Sequence, residues 1–289
     1  MNQHNPDDRS PEHAQQAYPV ARPAAGPPVF ATAAHDSSGN WWAPWPITPL
    51  EALGDLAVVA GVILLPQLAM LLLGSEESLD EASISAMRLM GANALNWAMV
   101  AAVGVYLTYR AGQPLSSIGL RRERLGSAVG AGLLAAGAMF GVTIVTAVIL
   151  WVATQADREA MTEPAREIYA RLGTPTWGTI FLVAATAAVF EEIIFRGFML
   201  TRLRVLVGSW GWAIGLGMIV FAVPHMWQGW VAVVRILPVA LVLSLTFVWR
   251  RGLAAPIVAH FLFNFLQLAT LRGLQHLPEF QKLMHPAGG

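Results

Sequence analysis

The sequence predicts an all-α membrane protein: a polytopic bundle of about seven transmembrane helices behind a disordered N-terminal tail. Three observations carry this expectation. Of 289 residues, 55% are hydrophobic and only 12% charged, whereas a soluble domain is about 25% charged. The apolar residues fall in runs close to the ~20 residues that a helix needs to cross a bilayer. The arginines cluster in alternate connections between those runs, as a consistently threaded chain requires.

The elements follow in order. Residues 1–50 hold nine of the 18 prolines and no apolar core of signal-peptide length, so they read as a disordered Pro/Ala-rich tail. At its end, 41-WWAPWPITP-49 has the aromatic character of a membrane–water interface. Candidate spans cover 54–73, 89–109, 126–153, 177–200, 209–225, 231–249 and 254–272, with edges set by hydropathy alone. The N-terminal spans within 51–160 form one unit. A second, 175–272, forms the core, and 273–289 is a C-terminal tail. Arg110, Arg121, Arg122 and Arg124 mark the second connection, Arg202 and Arg204 the fourth, and Arg250 and Arg251 the sixth. Positive connections remain cytoplasmic, which places the N-terminus in the cytoplasm and the protein in the cell membrane, with a prokaryotic plasma membrane as its setting. The first connection, 75-SEESLDEAS-83, is acidic. The third holds 157-DREAMTEPAREIYARL-172, with the pattern of an amphipathic surface helix. The Gly- and Ala-rich third span, 126-GSAVGAGLLAAGAMFG-141, suits close backbone packing. Arg235, near the start of the sixth span, is expected to reach outward to the membrane surface.

Composition also excludes functions. The net charge is zero, so no basic footprint suggests nucleic acid as a partner; the expected partners are the bilayer and a membrane-associated protein or peptide. No cysteine is present, which removes disulfides, thiolate catalysis and cysteine-ligated metals.

Against this apolar background, 190-FEEIIFRGFML-200 places two acids and an arginine beside an oily run. A charge at a helix centre costs about 2.5–3.5 kcal/mol on insertion scales, so these groups must face protein or a wet cavity. Glu192 and Arg196 are i and i+4 and share a face, with the acid N-terminal as pairing prefers. Glu191 points about 100° away and is left for another partner. The next helix carries 221-FAVPH-225. Gly208 lies midway between Glu191 and His225, so a turn there brings the two to similar depth, roughly 15 Å from the boundary near Arg202. Pro224 and Gly229 suggest that this helix is broken, which membranes tolerate where the segment lines a cavity. The last span carries 260-HFLFN-264, whose His260 and Asn264 share a face.

A glutamate, two histidines and an asparagine fit hydrolysis by activated water. Glu191 is the candidate general base, with His225 steering the proton. His260 and Asn264 carry N–H donors suited to an oxyanion. The competing chemistry is a zinc ion held by Glu191, His225 and His260 with an open fourth position, although the HExxH helix of common zinc proteases is absent. No cofactor is required on the first reading, and zinc belongs to the second.

In order on successive helices, 191-EEIIFR-196, 221-FAVPH-225 and 260-HFLFN-264 resemble the CAAX-protease and bacteriocin-processing family of intramembrane endopeptidases. The flanking RGFML and 253-LAAPIVAHFLFN-264 share its style, and the likeness covers roughly 175–270. The resemblance implies a helical bundle around a conical cavity that cleaves peptides near the membrane. It implies that Glu191 and His225 activate water, that His260 and Asn264 form an oxyanion hole, and that Glu192, Arg196 and Phe221 support them. The family's metalloprotease label keeps zinc as an alternative. Readings from other classes are a catalytically idle immunity or scaffold protein and a small transporter.

Overall fold

The computed structural model describes residues 47–73, 81–110, 112–155, 157–172 and 175–284. The tail with Trp41, Trp42, Trp45, His4, His13 and His35, most of the acidic stretch 75–83, and His285 lie outside the described residues.

The first helix, α1 (Pro49–Leu73), starts five residues ahead of the apolar run because 48-TPLE-51 closes a capping box. The Thr48 N–H donates to Glu51 Oε2 at 2.8 Å, and the Glu51 N–H donates to Thr48 Oγ1 at 3.2 Å. This reciprocal pairing satisfies N-terminal donors, and Pro49 fits the first helical position, which needs no N–H partner. The second helix, α2 (Glu81–Val105), continues into a π-helical turn, Tyr106–Arg110. A connection with a short 3-10 helix, Leu115–Ile118, leads to α3 (Leu125–Ala153), and α4 (Arg158–Leu172) is the expected amphipathic helix.

The core region is built on a long rod. Helix α5 (Trp177–Glu191) runs into a π-helical segment, Glu192–Met199, and then α6 (Leu200–Val207). Gly208, at φ +67°, turns the chain in a left-handed conformation that glycine adopts without strain. Then α7 (Trp210–Ala222) ends in a 3-10 turn, Val223–Gln228, and Gly229 leads to α8 (Trp230–Arg250). The expected break at Pro224 is therefore present. Next come α9 (Ala254–Leu274) and α10 (Pro278–Met284). The segment expected as a C-terminal tail thus forms a helix that docks on α4, where Tyr169 and Phe280 meet edge to face at 6.0 Å.

Among the described residues, five helices are long and apolar enough to span a membrane: Leu125–Ala153, Trp177–Val207, Trp210–Gln228, Trp230–Arg250 and Ala254–Leu274. These correspond to the last five expected spans; α1 and α2, at 25 residues each, overlap the first two expected spans but are not among these five. Large apolar side chains such as Leu133, Leu134, Ile144, Val145, Val148 and Ile149 on α3 are exposed. A surface of that kind on a soluble monomer would be a patch seeking a partner; on a multi-pass membrane protein it meets hydrocarbon.

Small residues set a close contact. Helix α3 packs on α9, and its buried Ala135 and Ala136 share a core cluster with Ala259 and Phe263 of α9. A Cβ at Gly132 would stand 2.6 Å from Val258 Cγ1, so only glycine permits this approach. The arginine-bearing connections gather at one end of the bundle. The Arg121 guanidinium donates to the Arg250 carbonyl, Arg250 pairs with Glu123 at 3.4 Å, and the Leu253 N–H donates to the Gly119 carbonyl. Arg202, expected as a boundary marker, is buried, with its Nη2 donating to Gln113 of the second connection.

Candidate active site

The rod, α7 and α9 each deliver one sequence motif to a common centre. On the rod, the π-helical segment begins at Glu192; its wider turn interrupts the regular helical phase, a feature that recurs at functional sites. Glu192 is fully buried and Arg196 is 2% exposed. The Arg196 Nη1 donates to Glu192 Oε1 at 2.8 Å, so the expected i,i+4 pair forms. A buried pair of this kind survives desolvation only with good geometry and further hydrogen bonds.

Those further bonds come from α9. His260 is 5% exposed, and its Nδ1 lies 2.8 Å from the same Glu192 Oε1. A carboxylate only accepts, so Nδ1–H donates. That bond fixes the ring and aims Nε2 at Glu191, whose Oε2 lies 3.8 Å away. His260 therefore bridges the two acids. Glu192, expected as a helix-locking residue, also sets the orientation of a histidine 68 residues along the chain.

Phe221 on α7 is the hub. Arg196 Cζ sits 4.0 Å above its ring, a cation–π geometry that strengthens away from water. Its ring centroid lies 5.2 Å from that of His225 and 6.3 Å from that of His260. Phe195 of the rod meets it edge to face at 5.0 Å. The sequence spacing FxxxH has a local meaning, since His225 Nδ1 lies 3.0 Å from the Phe221 carbonyl four residues back. The helix gives way to a 3-10 turn there.

All seven expected residues thus lie on the three elements that converge here, but not with equal intimacy. Glu191, Glu192, Arg196 and His260 are in direct contact or nearly so. His225 is joined to them through Phe221 and forms no ion pair with Glu191 among the described residues. Asn264 is half-buried, one turn beyond His260 on α9.

The polar inventory is left incomplete. Glu191 Oε2, Glu192 Oε2 and Arg196 Nη2 are buried and make no hydrogen bond among the described residues. Buried polar atoms are nearly always paired, and exceptions concentrate where a water or substrate is handled. His225 and His260 each engage Nδ1 with a protein oxygen, an arrangement that a metal-ligating histidine also shows. Among the described residues no three His, Cys, Asp or Glu side chains converge on a point that could hold an ion.

Sequence reasoning missed a second buried polar cluster on the same rod. Arg202 Nε pairs with Asp55 Oδ2 of α1 at 3.1 Å, Nη1 donates to Thr201 Oγ1, and Nη2 to Gln113 Oε1. The Tyr106 hydroxyl donates to Asp55 Oδ1 at 2.7 Å. A signal was available: Asp55 is a lone acid at the edge of the first apolar run and needs a partner there.

No curated protein and no solved structure matches the chain. A family model does. Residues 173–266, from just ahead of α5 into α9 and including every motif residue above, match the family described as Rce1-like, type II CAAX prenyl endopeptidase Rce1-like.

Proposed function

We propose that the protein is an intramembrane endopeptidase that hydrolyses peptide bonds of membrane-associated proteins or peptides with a water activated by Glu191. The observation that carries this reading is the buried, hydrogen-bond-free Glu191 Oε2 facing His260 Nε2 at 3.8 Å. A water at ordinary hydrogen-bond distance, ~2.8 Å from each atom, fits that separation. The family match over 173–266 supplies the reaction class.

Glu191 takes one proton as the water oxygen bonds to the substrate's carbonyl carbon. The oxyanion so formed is held by the side-chain N–H of Asn264 and by the Nε2–H of a doubly protonated His260, whose Nδ1–H is given to Glu192, with His225 steering proton traffic from the α7 side. When the C–N bond breaks, the amine departs with the proton that Glu191 carried. Glu192 and Arg196 are positioning residues: they hold His260 by Nδ1 and so choose which nitrogen faces the reaction. On this reading no metal takes part. Inactivation by a chelator, with recovery on one equivalent of zinc, would overturn that mechanism while leaving the fold intact. The charge bias of the connections favours an arginine-bearing end in the cytoplasm, and a prokaryotic cell membrane is the setting of this reading.

The test compares membrane peptides in cells carrying the intact protein and the Glu191→Gln form. Peptides cut only by the intact protein are expected. Identical peptide sets, with both forms equally inserted, would remove the proposal.

A further inference from the structure

Away from the motif centre, a cleft opens between α4 and the last turns of α9. It lies at the far end of α9 from Arg251, about 30 Å along the helix axis. With its open mouth it encloses about 240 Å³, less than a site for a whole drug-sized molecule. Its walls include Tyr169 and Leu172 of α4, Leu268, Leu271 and Arg272 of α9, and Gln275 just beyond that helix.

The walls change character along α9. Leu268 is buried within the span, and Gln275 follows about 10 Å nearer the helix end. Trp177, which opens α5, stands level with Arg272: the guanidinium lies 5.3 Å from its ring, and Trp177 is 55% exposed. An aromatic ring and a cation at the end of a spanning helix mark the membrane–water boundary. The cleft thus runs from hydrocarbon to headgroup level.

Two polar groups in it have capacity to spare. Gln275 is 6% exposed, and its Oε1 is buried without a hydrogen bond among the described residues. Its Nε2 is taken up by His276 at 3.1 Å. Arg272 gives Nη1 to the Pro175 carbonyl, and no carboxylate pairs with it among the described residues. Arg272 and Gln275 are three residues apart in helical backbone, so they are neighbours on one surface. An acceptor in need of a donor therefore sits beside donors in need of an anion, next to an apolar wall. Buried polar atoms are nearly always paired, which makes the orphaned Oε1 the sharpest sign of a ligand here.

A free anion would meet Arg272 and leave Gln275 and the leucines unused. A phospholipid with an N–H-bearing headgroup meets all three. Its phosphate oxygens match the guanidinium fork, its ammonium carries donors for an amide oxygen, and its acyl carbons lie on Leu172, Leu268 and Leu271. We propose that the α4–α9 cleft is a binding site for phosphatidylethanolamine, with the phosphate on Arg272 and the ammonium on Gln275 Oε1. The lipid ties α4 to the end of α9. The site is separate from the reaction at Glu191 and stands or falls without it.

The test counts the lipids retained by the full-length protein in native mass spectrometry, after equilibration with equal parts of phosphatidylcholine, phosphatidylethanolamine and phosphatidylglycerol. Phosphatidylcholine is the discriminating probe, because it has the same phosphate and a methylated nitrogen that donates nothing. Phosphatidylethanolamine is expected to be retained about tenfold over it, the scale of one charge-assisted hydrogen bond. Gln275→Leu should erase that preference, and Gln275→Glu, which keeps an acceptor, should preserve it. Arg272→Gln should weaken both lipids alike, and Arg272→Lys should restore part of the loss. Equal retention of the two lipids by the unmodified protein overturns the proposal, as does a preference that Gln275→Leu leaves intact. Phosphatidylglycerol retained above phosphatidylethanolamine also overturns it and reassigns the cleft to a hydroxyl-bearing anionic lipid. Lipids are counted only on ions of the folded charge state, and the comparison on the unmodified protein needs no variant to fold.

Discussion

Two buried arginines stand six residues apart on the same rod, and they are treated differently. Arg202 donates from all three of its nitrogens, to Asp55, Thr201 and Gln113, and stacks over Phe198 at 4.2 Å. Arg196 has one carboxylate partner and stacks over Phe221 at 4.0 Å, while its Nη2 and one oxygen on each neighbouring acid go without hydrogen bonds among the described residues. The first cluster ties α1 and the second connection to the core region and is closed. The second joins the rod, α7 and α9 and retains open capacity. A network built for cohesion satisfies its members, since each unpaired buried group costs stability. Open capacity at the motif residues is what the proposed reaction needs of them.

The largest expected effect breaks the motif cluster alone. Glu191→Gln should lower peptide turnover by about 10²- to 10⁴-fold with an unchanged unfolding midpoint in a detergent titration. Next, Asp55→Ala strands a buried arginine and should destabilise the fold by about 3–5 kcal/mol, measured by the same titration, while turnover per folded molecule holds. If Asp55→Ala instead abolished turnover without loss of stability, the division between the clusters would fail. Glu192→Gln sharpens the division further, because its amide oxygen can still accept from Arg196 and His260 while the negative charge that strengthens both bonds is lost. A loss of about 10²-fold in kcat, the scale of a misplaced catalytic group, with a small stability change, would set orientation apart from cohesion. The smallest effect belongs to Tyr106→Phe, which deletes one hydroxyl from the closed cluster and should cost about 1 kcal/mol, again with no change in kcat.

The sequence made much of the frame legible. Apolar runs located the helices because a bilayer enforces their length. Gly208 marked the turn between the rod and α7, and Pro224 with Gly229 marked the broken end of α7, whereas the Thr48–Glu51 box that starts α1 at Pro49 falls inside the segment expected as a disordered tail. The Glu192–Arg196 pair was readable because it spans a single turn. Each of these depends on residues within a few positions of one another.

The partnerships across helices were not readable to that depth. Order and depth brought Glu191, His225 and His260 to one region, yet His260 spends its Nδ1 on Glu192 and turns Nε2 towards Glu191, while His225 bonds its own helix. Asp55 finds Arg202 147 residues away. What the chain determines by itself is local: where helices start, how long they run, and which residues share a face. Which face meets which is decided when the helices pack, because that depends on the rotation of each rod about its axis. The π-helical segment at Glu192–Met199 resets this rotation in the middle of the candidate site, and no short window of sequence records it.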